Sequence, residues 1–251
     1  LLSVTIPDDS MLASIGDSAF YSCTSLTTVT IGSNSKITRI QEKAFYKTAL
    51  SSFTIPATLK IIEQYAFQSC KSLASMTVPS NSQLTSIGAY AFSRTAIVSL
   101  NIPGTVTTLG SSIFQYCTAV TTVNFGDNSM LTTLGTNVLQ GLTQLSTVTF
   151  GSNSALVTIE ANAFKGTGIT TFAMPASVQV LGDQVFYDCG ALLSVTIPDD
   201  SMLASIGDNA FYSAGIGSFD LPGSVNSIGE RAFYNCFRLV SVTVGSSSQL
   251  A

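Results

Sequence analysis

Residues 26–45 read LTTVTIGSNSKITRIQEKAF, and this stretch decides the fold. Its first part carries apolar side chains at Leu26, Val29 and Ile31 with Ser or Thr among them, a pattern typical of a short strand with one buried face. Its second part has two isoleucines three residues apart and ends on Ala-Phe. This second part predicts an extended piece that leads into one short helical turn.

The Ala-Phe pair, or a similar apolar pair, returns every 22 or 25 residues or so, which divides the 251 residues into about ten units. A unit this short cannot bury its own apolar residues, so successive units must stack with their strands parallel. The sequence therefore predicts one continuous repeat solenoid over residues 1–251, incomplete at its first and last units. We expect a right-handed coil with a parallel β-sheet on one face and short helical turns on the other. The repeating pair stands at Ala19-Phe20, Ala44-Phe45, Ala66-Phe67, Ala91-Phe92, Ile113-Phe114, Val138-Leu139, Ala163-Phe164, Val185-Phe186, Ala210-Phe211 and Ala232-Phe233.

The composition argues against several classes of function. Charged residues make up only 10% of the chain, the net charge is -4, and His is absent. A nucleic-acid-binding protein normally presents a basic face, and metal sites and proton-transfer sites commonly use His. No segment reaches the ~20 consecutive apolar residues of a membrane-spanning helix. We therefore predict no enzyme activity, no cofactor, no metal site and no nucleic-acid partner.

Residues 25–45, SLTTVTIGSNSKITRIQEKAF, follow the leucine-rich-repeat pattern L-x-x-L-x-L-x-x-N, and Cys23 stands three residues after Phe20. In these features the chain resembles the BspA-like leucine-rich repeats over essentially its whole length. That family is known from surface proteins of bacteria and parasitic protists. The resemblance implies a cell-surface or extracellular location and a role in adhesion or protein–protein binding, with no catalytic residues to carry over.

Three kinds of partner remain open. The first is a protein of a matrix, a host or a neighbouring cell surface. The second is another copy of the chain, which would make the solenoid a building block of an extracellular filament or coat. The third is a glycan or ice surface bound by a regular array of hydroxyl groups.

Five cysteines occupy one slot of the repeat, three residues after the Phe, and they fall mostly in alternate units. Equivalent positions two units apart are about 9.5 Å from each other, beyond the Cα separation of about 7 Å that a disulfide allows. We therefore predict reduced, buried thiols that pack as small apolar groups. The slot holds Cys23, Cys70, Cys117, Cys189 and Cys236.

Asp, Asn and Ser recur in the loop after the strand, as in Asp8-Asp9, Ser33-Asn34, Asp127-Asn128 and Asp199-Asp200. A stacked column of oxygen ligands is one possible Ca²⁺ site. Hydrogen bonds from backbone N–H groups that close the turn explain the same residues more simply, and the carboxylates do not occur in adjacent units. No metal site is therefore predicted here.

Two surfaces are candidates for binding. The solvent side of each strand carries Ser, Thr or Asn at two alternate positions, and the residue after the Phe is often Tyr, an amphipathic residue that is common at interfaces. The simpler interpretations are an ordinary solvated sheet and a half-buried Tyr that caps its own turn. The strand candidates are Thr28, Thr30, Ser52, Thr54, Ser75, Thr77, Ser99, Asn101, Thr122, Asn124, Thr147 and Thr149. The turn-side candidates are Tyr21, Tyr46, Tyr187, Tyr212 and Tyr234.

Overall fold

A computed structural model describes residues 1–245 and shows a parallel β-solenoid of about eleven windings. The alternating apolar residues of each unit form a strand of three or four residues, as predicted. These longer strands are β1 (Ser3–Ile6), β3 (Thr28–Ile31), β5 (Ser52–Thr54), β7 (Ser75–Thr77), β9 (Ser99–Ile102), β11 (Thr122–Phe125), β13 (Thr147–Phe150), β15 (Thr171–Ala173), β17 (Ser194–Thr196), β19 (Ser218–Leu221) and β21 (Ser241–Val244).

The extended piece in the second half of each unit forms a second, two-residue strand. These short strands pair in parallel in two five-stranded ladders, one formed by the first five of them and the other by the last five. Their second residue points into the core and is buried in all of them except Ile228 of the last. They are β2 (Ser14–Ile15), β4 (Arg39–Ile40), β6 (Ile61–Ile62), β8 (Ser86–Ile87), β10 (Thr108–Leu109), β12 (Thr133–Leu134), β14 (Thr158–Ile159), β16 (Val180–Leu181), β18 (Ser205–Ile206) and β20 (Ser227–Ile228).

The predicted helical turns are wrong, because residues 1–245 contain no helix. Around most of the Phe residues of the repeating pair, alternate backbone N–H groups bond to the next winding instead of to their own segment. The N–H of Phe45 donates to the carbonyl oxygen of Ala66 at 2.8 Å, whereas the N–H of Tyr46 donates to Lys43 in its own turn at 3.0 Å. A helix would need every N–H to bond within its own segment. The turns thus join neighbouring windings, as strands do.

This bonding depends on left-handed backbone at two positions of every turn, two residues before and two residues after the Phe slot. Their φ angles lie between 53° and 74°. Only two of these residues are glycine, and L-residues with a side chain are less stable in this conformation by about 1–2 kcal/mol. The positions before the slot are Ser18, Lys43, Tyr65, Tyr90, Ser112, Asn137, Asn162, Gln184, Asn209 and Arg231. The positions after it are Ser22, Lys47, Ser69, Arg94, Tyr116, Gly141, Gly166, Asp188, Ser213 and Asn235.

The core consists of columns in which each side chain rests on its equivalent in the next winding. Phe45, Phe67 and Phe92 are fully buried, and their rings stack with centroids 5.2 and 5.4 Å apart. Leu139 interrupts the Phe column, which resumes at Phe164. In the last described winding Val242 and Val244 remain 40% and 48% exposed, because a neighbour covers them on one side only. Burial therefore comes from stacking, as expected for a solenoid.

The windings follow one another without interruption from β1 to β21. The incomplete last unit that the sequence predicts concerns Leu250 and Ala251, which lie outside the described residues. Residues 1–245 form no helix, and so they contain no helix that is long and apolar enough to cross a membrane.

Candidate interaction surfaces

The twelve strand candidates lie together on the outer side of the longer strands, and we call these residues the strand face. Ten of the twelve are exposed, whereas Thr122 and Asn124 are half-buried. The parallel register places equivalent positions side by side, so that Ser52 pairs with Ser75 and Thr54 pairs with Thr77. Alternation along the strand therefore produces two rows of polar side chains over a buried apolar row.

The middle of the strand face uses its polar groups internally. The amide of Asn124 donates to Asn101 Oδ1 at 2.9 Å, and the hydroxyl of Thr149 donates to Asn124 Oδ1 at 2.7 Å. In the described part of the chain, no such side-chain hydrogen bond involves the six strand-face residues of β3, β5 and β7. The hydroxyls of β3, β5 and β7 are therefore all available to a partner.

The strand face is not one unbroken lattice. The longer strands pair only in small groups, namely β1-β3, β5-β7, β9-β11-β13, β15-β17 and β19-β21. Between the groups, hydrogen bonding weakens to contacts near the strand start, such as the N–H of Ser51 with the carbonyl oxygen of Thr27 at 3.4 Å. The hydroxyl array is thus a row of short patches, which does not favour the ice-binding alternative.

The turn-side tyrosines form two separate stacks. The rings of Tyr21 and Tyr46 stack at 4.8 Å, and Tyr212 stacks on Tyr187 at 4.7 Å and on Tyr234 at 5.1 Å. Burial is the largest cause that raises the pKa of Tyr187, followed by the nearby charge of Asp188. Each ring thus packs against the next winding rather than capping only its own turn. Of the five, Tyr21 and Tyr234 at the outer ends of the stacks are the most exposed, with 47% and 56% of their surface accessible.

The sequence reasoning missed a group of basic residues just after the turns. Lys47, Lys71 and Arg94 are exposed and line two neighbouring cavities, of about 370 and 490 Å³. The positive charges are spaced 24 and 23 residues apart in the sequence, close to the repeat length. This spacing is the feature of the sequence from which the group of basic residues could have been predicted.

The thiols confirm the packing prediction in the interior of the solenoid. All five cysteines are free; Cys70, Cys117 and Cys189 are buried, while Cys23 and Cys236 are half-buried because a single neighbouring winding covers each. Sγ of Cys70 donates to the carbonyl oxygen of Phe45 at 3.0 Å and contacts Thr48 Oγ1 at 3.2 Å. Thr48 occupies in its own winding the slot that Cys70 occupies in the next one, and the two side chains contact each other.

The buried thiols are poorly suited to nucleophilic chemistry. Burial raises the pKa values of Cys70, Cys117 and Cys189, and hydrogen bonds with the neighbouring Thr residues offset only part of this effect. A nucleophilic cysteine needs the opposite, a lowered pKa and solvent access.

The loop carboxylates accept hydrogen bonds from the following winding. Asp127 Oδ1 accepts from the backbone N–H and the hydroxyl of Ser152 at 2.7 and 2.8 Å, and the hydroxyl bond is the main cause that lowers the pKa of Asp127. Asp8 Oδ1 accepts from the hydroxyl of Ser33 and from the backbone N–H of Asn34 in the same way. Among residues 1–245 no three metal-ligating side chains cluster together. The loop column therefore links turns of adjacent windings.

A comparison with known protein families assigns the chain to one of them. The family model described as "BspA type Leucine rich repeat region (6 copies)" matches residues 1–121, 38–158 and 157–250. The chain belongs to this leucine-rich-repeat family. None of the curated proteins matches it significantly.

Solved structures share the fold at low sequence identity. The pneumococcal vaccine antigen PcpA is 22% identical with a TM-score of 0.63, over 98% of this chain and 62% of that one. The T. pallidum leucine-rich repeat protein is 24% identical with a TM-score of 0.57, over 76% and 78% of the two chains. A leucine-rich repeat protein from Bacteroides ovatus is 23% identical with a TM-score of 0.51, over 98% and 82%. The chain thus spans less than two thirds of PcpA.

Proposed function

We propose that this chain is a non-enzymatic repeat segment, displayed at the cell surface, that binds protein partners through its strand face. The observation that carries the proposal is the set of exposed hydroxyls on β3, β5 and β7, of which β5 and β7 pair in register, and none of which makes a side-chain hydrogen bond within the described chain. Membership of the BspA-type family supports a binding role. The description of PcpA as a vaccine antigen supports surface display.

Binding by this face has to be distributed over several windings. One hydroxyl hydrogen bond contributes about 0.5–1.5 kcal/mol net, whereas a micromolar complex needs about 8 kcal/mol. Six hydroxyls on three windings supply about 3–9 kcal/mol in total, so micromolar binding needs nearly all of them at close to full strength. Extended concave or flat surfaces of solenoids bind in this distributed way.

The test compares two folded variants in binding to purified collagen, laminin and fibronectin, used as representative matrix proteins. The first variant replaces Thr28, Thr30, Ser52, Thr54, Ser75 and Thr77 with Lys, which alters the strand face and leaves every core column intact. The second replaces Tyr187, Tyr212 and Tyr234 with Ser on the turn side. We expect the Lys variant to lose binding and the Tyr variant to keep it.

Sedimentation velocity of the same samples separates the alternatives. Loss of binding only in the Tyr variant would transfer the function to the turn side. Concentration-dependent assembly of the wild type without matrix binding would instead favour the filament or coat. A monomer that binds none of the three matrix proteins would contradict the adhesion role.

A further inference from the structure

The two cavities beside the turns form one groove, which we call the corner groove. One cavity is lined by residues from Thr24 to Arg94 and the other by residues from Lys71 to Ala119, and both include Lys71 and Arg94. The groove crosses five successive windings, which at about 4.8 Å per strand corresponds to roughly 20 Å. Its dimensions therefore suit a chain-like ligand rather than a single small ion.

The positive charges of the groove are not neutralised by the protein. No Asp or Glu lines either cavity, and Lys47, Lys71 and Arg94 take part in none of the ion pairs found within residues 1–245. The groove's other polar groups are mostly hydroxyls, including those of Ser69 and Ser72. Three cations and the exposed hydroxyls of Thr24, Ser72 and Thr118 are thus free to contact a ligand, whereas the hydroxyls of Thr48 and Thr95 are buried against cysteine thiols.

The two outer cations are held in place. Lys47 and Arg94 both occupy the left-handed position after the Phe, with φ angles of 56° and 60°. Nζ of Lys47 lies 5.2 Å from the ring centre of Tyr46, and the guanidinium of Arg94 lies 5.0 Å from that of Tyr116. Cation–π contacts of this length leave the N–H donors of both groups accessible. The charges are therefore positioned before a ligand arrives.

The surrounding charge supports the same ligand chemistry. Seven of the ten Lys and Arg residues, but only two of the fourteen Asp and Glu residues, lie between residues 24 and 126. The chain is acidic overall, yet the segment that forms the groove is basic. Such a field raises the local concentration of anions and speeds their association.

We propose that the corner groove binds a linear anionic polysaccharide, with Lys47, Lys71 and Arg94 contacting successive sulfate or carboxylate groups. The groove offers a peptide little to grip, because backbone groups at its floor are already bonded, such as the N–H groups of Lys71 and Thr48. Its lining contains no large aliphatic side chain that would form an anchor pocket for a peptide. Hydroxyl groups and cations are the partners that an anionic sugar chain requires. The groove lies apart from the strand face, so this proposal does not depend on the proposed function.

The experiment measures the affinity of the whole chain for dextran sulfate by isothermal titration calorimetry at 50 mM and 300 mM NaCl. The variant Lys71→Gln/Arg94→Gln removes the two cations that line both cavities. Its matched control, Lys36→Gln/Lys60→Gln, removes two exposed cations of neighbouring windings that line neither cavity. Thermal unfolding checks that both variants fold, and Lys71→Gln alone serves if the double variant does not. Neutral dextran and poly-glutamate are measured alongside.

We expect binding of dextran sulfate that weakens about tenfold in Lys71→Gln/Arg94→Gln and by less than about twofold in the control. The weaker variant should also respond less to salt. Equal losses in the two double variants would mean that only the general charge matters and would overturn the proposal. So would the absence of binding at 50 mM NaCl, equal binding of neutral dextran, or tighter binding of poly-glutamate that depends on Lys71 and Arg94.

Discussion

Gly141 provides a test of the turn structure, because the left-handed turn and a helical turn predict opposite effects of Gly141→Ala. Its φ angle is +74°, and a Cβ added there would meet no atom within 4 Å. The cost of Gly141→Ala therefore comes from the backbone conformation alone, about 1–2 kcal/mol, less about 0.4–1 kcal/mol gained by restricting the unfolded chain. We expect a net destabilisation of about 1 kcal/mol. In a helical turn the same change would stabilise by about that amount.

Two other glycines serve as controls. Gly190 also has empty space around its Cβ position, but its φ angle lies outside the left-handed range, so Gly190→Ala should stabilise by about 0.4–1 kcal/mol. A Cβ on Gly168 would lie 2.2 Å from the backbone oxygen of Thr143, so Gly168→Ala should cost more than Gly141→Ala. Thermal unfolding measures all three, at about 2–4 °C per kcal/mol for a chain of this size. Stabilisation by Gly141→Ala would refute the left-handed turn.

Three further predictions concern the core and the links between windings. Phe67→Ala removes a ring that packs at 5.2, 4.9 and 5.4 Å against three other Phe rings, and thermal unfolding should show a loss of about 3–5 kcal/mol; a loss under 1 kcal/mol would contradict the stacked column. The thiols of Cys70, Cys117 and Cys189 should resist iodoacetamide until the chain unfolds. Because burial raises their pKa values, the unfolding free energy should fall as pH rises above the ordinary thiol pKa near 8.5, and a variant with Thr at all three positions should lose that slope. Asp127→Ala should lower the melting temperature more than Asp9→Ala, since Asp127 accepts two hydrogen bonds from Ser152; equal shifts would contradict a linking role for this carboxylate.

The sequence predicted the solenoid because its main determinant, the spacing of apolar residues, is local and repeated. Leu26, Ile37, Ile40 and Phe45 are all buried as their pattern indicates. The register of the strand face followed from the same spacing, because equivalent residues of stacked units must lie side by side.

The turn geometry could not be predicted in this way. Lys43 and Lys47 have ordinary side chains, and nothing in their identity signals a left-handed backbone. The conformation goes together with hydrogen bonds between neighbouring windings, a tertiary interaction that overrides local preference. The corner groove was missed because its cations do not fill one slot of the repeat: Lys47 and Arg94 stand two residues after their Phe, whereas Lys71 stands four residues after Phe67.

Binding by the strand face is tested most directly by exchanging its residues for Lys in windows of three windings. One window covers β3, β5 and β7, and the other covers β9, β11 and β13, so that both variants gain the same charge. We expect the Lys exchange on β3, β5 and β7 to weaken binding by at least about a hundredfold, measured with whichever of collagen, laminin and fibronectin the wild type binds. Single changes such as Thr54→Lys should each weaken it by less than about tenfold. Unchanged binding in both window variants, or complete loss from one single change, would contradict a distributed strand-face interaction.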